Sequence, residues 1–125
     1  MAYRYSNQPN NGGEAQLYFR ENQTLVYGAN LKITPTDPRS EKINMNVALT
    51  GALTLTADVT IPQDGDKLTC LFSADAVSDR VVTFGTGFAA NGTLTVLDAG
   101  IAIVEFVFFS GVWLEKCRFI SAELS

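Results

Sequence analysis

Residues 53–61 alternate with a period of two. Leu53, Leu55, Ala57, Val59 and Ile61 fall on one side of an extended chain, and Thr54, Thr56, Asp58 and Thr60 on the other. A helix cannot gather that pattern onto one face, so the segment belongs in a sheet with one side packed and the other half-wet. The same period recurs beyond residue 14. Runs at 15–20, 24–28, 31–34, 43–49, 67–73, 80–84, 92–96, 101–109 and 112–120 read as further strands. Turn residues separate them: Pro35-Thr36-Asp37-Pro38, the stretch from Pro62 to Asp66, Asn91-Gly92, Asp98-Ala99-Gly100 and Ser110-Gly111. The one weak helical candidate, 74–79, is short and polar. Short strands joined by tight turns predict an all-β fold, either an antiparallel β-sandwich or a jelly-roll-like domain.

A chain of 125 residues fits one domain, and about two-thirds of its surface would be buried on folding. With 46% hydrophobic and 18% charged residues, it has enough apolar surface to order itself. Three regions are expected: an extended N-terminal arm at 1–13, arm-to-body strands at 14–42, and a β-sandwich body at 43–125. The arm is rich in Asn, Gln and Gly, and all four tyrosines lie within the first 27 residues. Tyr3 and Tyr5 alternate about Arg4, and these three are the expected partner contacts of an arm that orders against a neighbour. In 101–109, Ala102, Val104, Phe106 and Phe108 form one face. Ile101, Ile103, Val107 and Phe109 form the other, interrupted only by Glu105. A strand apolar on both sides is covered twice, once by its own core and once by a symmetry mate. In 112–120, Trp113, Glu115, Cys117 and Phe119 should share a face, with Trp113 a buried anchor. Gly51-Ala52-Leu53-Thr54-Leu55 resembles Gly92-Thr93-Leu94-Thr95-Val96 at an offset of 41 residues, which reads as strand composition rather than duplication.

Composition excludes much chemistry. The absence of histidine removes Ser-His-Asp triads, His-activated thiols and His-containing metal sites. Cys70 and Cys117 are too few for a disulfide scaffold, and both read as small core hydrophobes. Gly85-Thr86-Gly87 lacks the further glycine or lysine of a phosphate loop and reads as a turn. Asp64-Gly65-Asp66, near Asp58, lacks calcium-loop spacing and reads as a solvated turn. No carboxylate pair stands out for hydrolysis. The expected protein is therefore not an enzyme and uses no cofactor or metal. A net charge of −4 and a pI near 4.6 have the wrong sign for nucleic acid. No apolar run is long enough to span a membrane, and the N-terminus lacks a signal-peptide core. Synthesis in a host cytoplasm as a soluble protein is the expectation.

Three segments, taken in order, resemble a known family. They are Val81-Val82-Thr83-Phe84-Gly85-Thr86-Gly87-Phe88, then Gly92-Thr93-Leu94-Thr95, then Val104-Glu105-Phe106-Val107-Phe108-Phe109-Ser110-Gly111-Val112-Trp113-Leu114-Glu115. Together with Leu53-Thr54-Leu55-Thr56 and Gly65-Asp66-Lys67-Leu68 they are similar to a module of tailed-bacteriophage virion proteins, over roughly residues 50–119. The resemblance implies a small trimeric β-structured protein of the virion exterior, made of fibre, head-decoration or tail-tip parts. It implies scaffold roles for Gly85, Gly87, Gly111, Trp113 and Glu115, with Glu105 at an interface. The expected function is a non-enzymatic capsid decoration or cement protein. It would be a homotrimer that contacts the major capsid protein or another virion protein. A tail-fibre or tail-tip module binding host-surface glycan is the alternative.

Overall fold

The computed structural model describes residues 19–121. These form ten strands and no helix: β1 (Phe19–Leu25), β2 (Asn30–Ile33), β3 (Ser40–Leu49), β4 (Leu53–Ala57), β5 (Lys67–Ala74), β6 (Arg80–Phe84), β7 (Phe88–Ala89), β8 (Leu94–Val96), β9 (Ile101–Phe109) and β10 (Val112–Ser121). The fold is all-β. A six-stranded sheet runs β1-β3-β5-β9-β10-β7, and a four-stranded sheet runs β2-β4-β6-β8.

Successive strands from β1 to β6 alternate between the two sheets, and within each sheet they pair in parallel. The chain therefore winds in a β-solenoid-like stack. Gln23 pairs with Met45 and Met45 with Cys70, so one coil takes 22 and then 25 residues. Antiparallel pairing, expected throughout, is confined to β5–β9, β9–β10 and β6–β8. The physical reason lies in the connections. The residues after β1, β3 and β5 carry the chain across to the other sheet instead of back along the same one, which is what parallel neighbours require. Chain reversal within one sheet occurs only at Ser110-Gly111. Both residues there have positive φ, 55° and 83°, as a two-residue hairpin of primed type demands.

Both sheets contribute to one core. Ile43, Met45, Val47 and Leu49 of β3, Leu68, Cys70 and Phe72 of β5, and Ala102, Val104 and Phe106 of β9 face Leu53, Leu55, Val82, Leu94 and Val96 of the smaller sheet. Each large side chain so buried contributes about 1.5–3 kcal/mol. Phe84 joins the layers at one end, with its ring centroid 5.3 Å from those of both Phe88 and Phe106.

Three local expectations change. Residues 15–18 of the first expected strand lie outside the described residues, while β1 at Phe19–Leu25 fills the gap expected between strands at 15–20 and 24–28 and ends before Val26. Its polar run is held by parallel pairing with β3 and by Glu21. That carboxylate accepts hydrogen bonds from Gln23 Nε2 (2.6 Å), the Thr36 amide (2.9 Å) and the Ser40 hydroxyl (2.8 Å). Burial alone would raise the Glu21 pKa, but these donors hold it below the ordinary value. β4 stops at Ala57 because Asp58 turns the chain, its carboxylate accepting from the Thr60 amide and hydroxyl, both at 2.7 Å. Residues 74–79 contain no helix but a bend fixed by Arg80 and Asp75, 2.8 Å apart.

Gly87 has a φ of +96°, and a Cβ there would overlap the Ala57 carbonyl oxygen. Gly65 has a similar φ of +94° but open space around it. Gly87→Ala should therefore lower unfolding free energy by about 2–3 kcal/mol, against about 1 kcal/mol for Gly65→Ala. Urea denaturation midpoints at constant m-value check the difference.

Candidate functional site

The turn and hairpin residues singled out in the sequence converge on the β7–β10 edge. Trp113 pairs with Phe88 in register, and its amide donates to the Gly87 carbonyl at 2.9 Å. Its ring is buried edge-on to Phe108, with centroids 5.1 Å apart. Gly85 donates its amide to the Leu55 carbonyl at 2.8 Å and so ties the turn after β6 to β4. Glu115 points inward, with its side chain 2% exposed, and meets Arg118 at 2.7 Å. The same carboxylate accepts from the Asn91 amide at 2.8 Å, while Arg118 donates to the Thr93 and Asn91 carbonyls at 3.0 and 3.2 Å. The pair thus pins the 91–93 turn onto β10. Hydrogen bonds from Arg118 hold the Glu115 pKa below the ordinary carboxylate value, against the opposing effect of burial.

Arg118 was not foreseen, because a bulge between Glu115 and Cys117 shifts the phase of β10. The same bulge corrects the expectation that Trp113, Glu115, Cys117 and Phe119 share a face. Trp113 and Glu115 face inward, while Cys117 and Phe119 face outward, Phe119 being 57% exposed. Cys70 is a buried core residue as expected, and burial pushes its thiol pKa up strongly. Cys117 is not a core residue; its sulfur lies 3.6 Å from the Glu105 carboxylate on the outer face. The Asp64-Gly65-Asp66 turn is likewise more than a solvated one. Asp66 is buried and accepts from the Gln63 amide, and Asp64 accepts from the Ser110 amide at 3.2 Å. No group of three or more potential metal ligands occurs among the described residues. Tyr3, Arg4 and Tyr5 lie outside the described residues.

Glu105 belongs to a different surface, the outer face of the six-stranded sheet. Strand register lays its outward residues in three rows: Arg20, Lys42, Lys67, Val107, Leu114; Asn22, Asn44, Thr69, Glu105, Cys117; and Thr24, Asn46, Leu71, Ile103, Phe119. Read across the strands, the first and third rows pass from polar on β1 and β3 to apolar on β9 and β10, while the middle row ends in Glu105 and Cys117. On the apolar half, Leu71 is 37% exposed, Leu114 39% and Phe109 45%. With Phe119 and the half-buried Ile103 and Val107, the exposed apolar area is on the order of 400 Å², within the range where a monomer's largest patch marks an interaction site. On the polar half, Asn44 donates to the Asn22 side-chain oxygen at 3.1 Å and Asn46 to the Thr24 hydroxyl at 3.2 Å. Sequence reasoning found the doubly apolar β9 but not the rows, because parallel register brings together residues more than 20 positions apart with no local signal.

No protein-family model matches the chain, and no curated protein matches it either.

Glu115→Gln removes one half of an enclosed ion pair and should cost about 2–4 kcal/mol at pH 7. The lowered pKa fixes the sign. The carboxylate's stabilisation is fully present above its unfolded-state value, near 4.5, and is lost as pH falls through the lower folded value. Thermal unfolding between pH 7 and pH 3 should therefore show wild type and variant converging on the acid side. In a thiol titration, Cys70 should react only after denaturant is added.

Proposed function

We propose that this chain is a non-enzymatic structural protein of a tailed-bacteriophage virion, a decoration or cement protein on the capsid exterior. It self-associates as a homotrimer through the outer face of β9 and β10. One observation carries this reading: a sheet face whose β9–β10 half is largely apolar and which none of the described residues covers. In a closed trimer the three faces would meet, excluding Phe109, Leu114 and Phe119 from water and enclosing the Glu105–Cys117 contact. The resemblance over roughly 50–119 adds the virion setting. The body assigned to this role is two-layered in the manner of a sandwich, with solenoid-like coils closed by a C-terminal hairpin. Gly85, Gly87, Gly111, Trp113 and Glu115 serve as its scaffold. The 1–13 arm, with Tyr3, Arg4 and Tyr5, makes the contact with the major capsid protein or another virion protein.

Light scattering should give a mass about three times 13.5 kDa. Phe119→Asp combined with Leu114→Asp should yield a monomer with an unchanged far-ultraviolet spectrum, because both side chains point away from the core. Cys117 should react with a thiol reagent faster in that variant than in wild type. A stable wild-type monomer at micromolar concentration would overturn the assembly. Absence of the protein from purified heads would overturn the capsid assignment, and undiminished occupancy after deletion of 2–13 would overturn the arm.

A further inference from the structure

The polar half of the outer face carries an arrangement that folding alone does not reward. Parallel register places Arg20 beside Lys42 and Lys42 beside Lys67 on three consecutive strands, at about the 4.8 Å interstrand spacing. Like charges directly opposite one another destabilise a sheet. None of the three makes an ion pair with a described carboxylate, although the chain as a whole is acidic at −4. The other described arginines, Arg39, Arg80 and Arg118, each have a carboxylate partner. The cationic row is therefore set apart on an otherwise acidic molecule.

Two recesses open beside it. One, of about 190 Å³, is lined by Lys42, Lys67 and Lys116 together with Thr69 and Glu105. The other, of about 340 Å³, shares Thr69 and is lined by Asn22, Asn44, Asn46, Leu71 and Ile103. The amides of the second recess use one valence each in the Asn44–Asn22 and Asn46–Thr24 bonds, and the remaining donors and acceptors are left for a ligand. Leu71 and Ile103 supply an aliphatic wall. Side by side stand a pocket for one oxyanion and a larger one that offers amide and hydroxyl partners around a small apolar surface.

We propose that this surface binds an acidic oligosaccharide. Its carboxylate or sulfate sits among Lys42, Lys67 and Lys116, and the hydroxyls of an adjoining sugar ring engage Asn22, Asn44 and Asn46. An acidic peptide would satisfy the lysines equally, but it carries few hydroxyls to engage a row of three asparagines. The site lies mainly on β1, β3 and β5; it shares Leu71, Ile103 and Glu105 with the border of the apolar half assigned to self-association, and does not rest on that assignment.

The test is calorimetric titration of the full chain with oligogalacturonate, a sulfated heparin-derived oligosaccharide, a neutral oligosaccharide of equal length, and polyglutamate. At least one acidic sugar should bind at least tenfold more tightly than the neutral one and than polyglutamate, with affinity falling as salt rises. The arm that binds identifies the anionic group. Lys42→Gln with Lys67→Gln should weaken binding at least tenfold and leave the fold intact, since it removes repulsion; Lys32→Gln, on the smaller sheet, should change nothing. Asn44→Ala should weaken sugar binding. Equal affinity in wild type and a neutral Phe119→Ser, Leu114→Ser variant separates this site from the assembly face. No binding by either acidic sugar, tighter binding of polyglutamate, or full binding by the double lysine variant would overturn the proposal.

Discussion

The molecule depends on the pairing of β3 between β1 and β5. That strand is parallel to both neighbours, and its inward residues Ile43, Met45, Val47 and Leu49 occupy the centre of the shared core. Parallel pairing fixes the pitch of the coil, so every connection must be long enough to cross to the second sheet and return in register. The crossings differ in length, yet each is closed by specific polar contacts. Glu21 gathers Thr36 and Ser40, Asp58 turns on Thr60, and Arg80 holds Asp75. Charged residues in this chain act chiefly as fasteners of coil crossings. Lys42, Lys67 and Lys116 are the exception and collect on one outer face, with Lys32 apart on the smaller sheet.

A solenoid left open would expose strand edges at both ends. Here the C-terminal end of the six-stranded sheet is closed by antiparallel β9 and β10, and β10 is in turn shielded by the two residues of β7. The Glu115–Arg118 pair is part of that closure. It lies where the turn after β7 would otherwise leave the backbone carbonyls of 91–93 without donors. Trp113 joins β10 to β7 through Phe88 and the Gly87 carbonyl, so Gly87, Gly111, Trp113 and Glu115 all belong to this closure, while Gly85 ties the turn after β6 to β4.

Much of this was legible in the sequence. Period-two alternation located β3, β5, β6, β9 and β10 closely and β4 at its start; all but β9, which is apolar on both faces, set apolar residues against polar ones. The Ser110-Gly111 turn was legible too: its residues must adopt positive φ. Pairing direction was not legible, since a strand of a given pattern serves equally in parallel or antiparallel company. β1 was obscured because Glu21 and Asn22 have low strand preference and Gln23 continues the polar run, and register with β3 overrides it. Phase in β10 was lost at the bulge, and with it the positions of Cys117, Arg118 and Phe119. The outer face emerged only in part. Its apolar end lies within one strand and could be read there, whereas its cationic row is assembled from three coils.

The position of β9 in the six-stranded sheet bears on how the chain is made. It begins at residue 101 yet lies in the interior, hydrogen-bonded to β5 on one side and β10 on the other. The first coils can begin to stack as they leave the ribosome, but β5 remains a bare edge until β9 has emerged. Contacts between β5 and β9 join residues 28 to 40 positions apart, a separation that slows folding. Until that strand arrives, the growing molecule displays an unpaired edge flanked by apolar side chains, the feature by which β-rich chains seek one another. Completion of the six-stranded sheet therefore waits on β9.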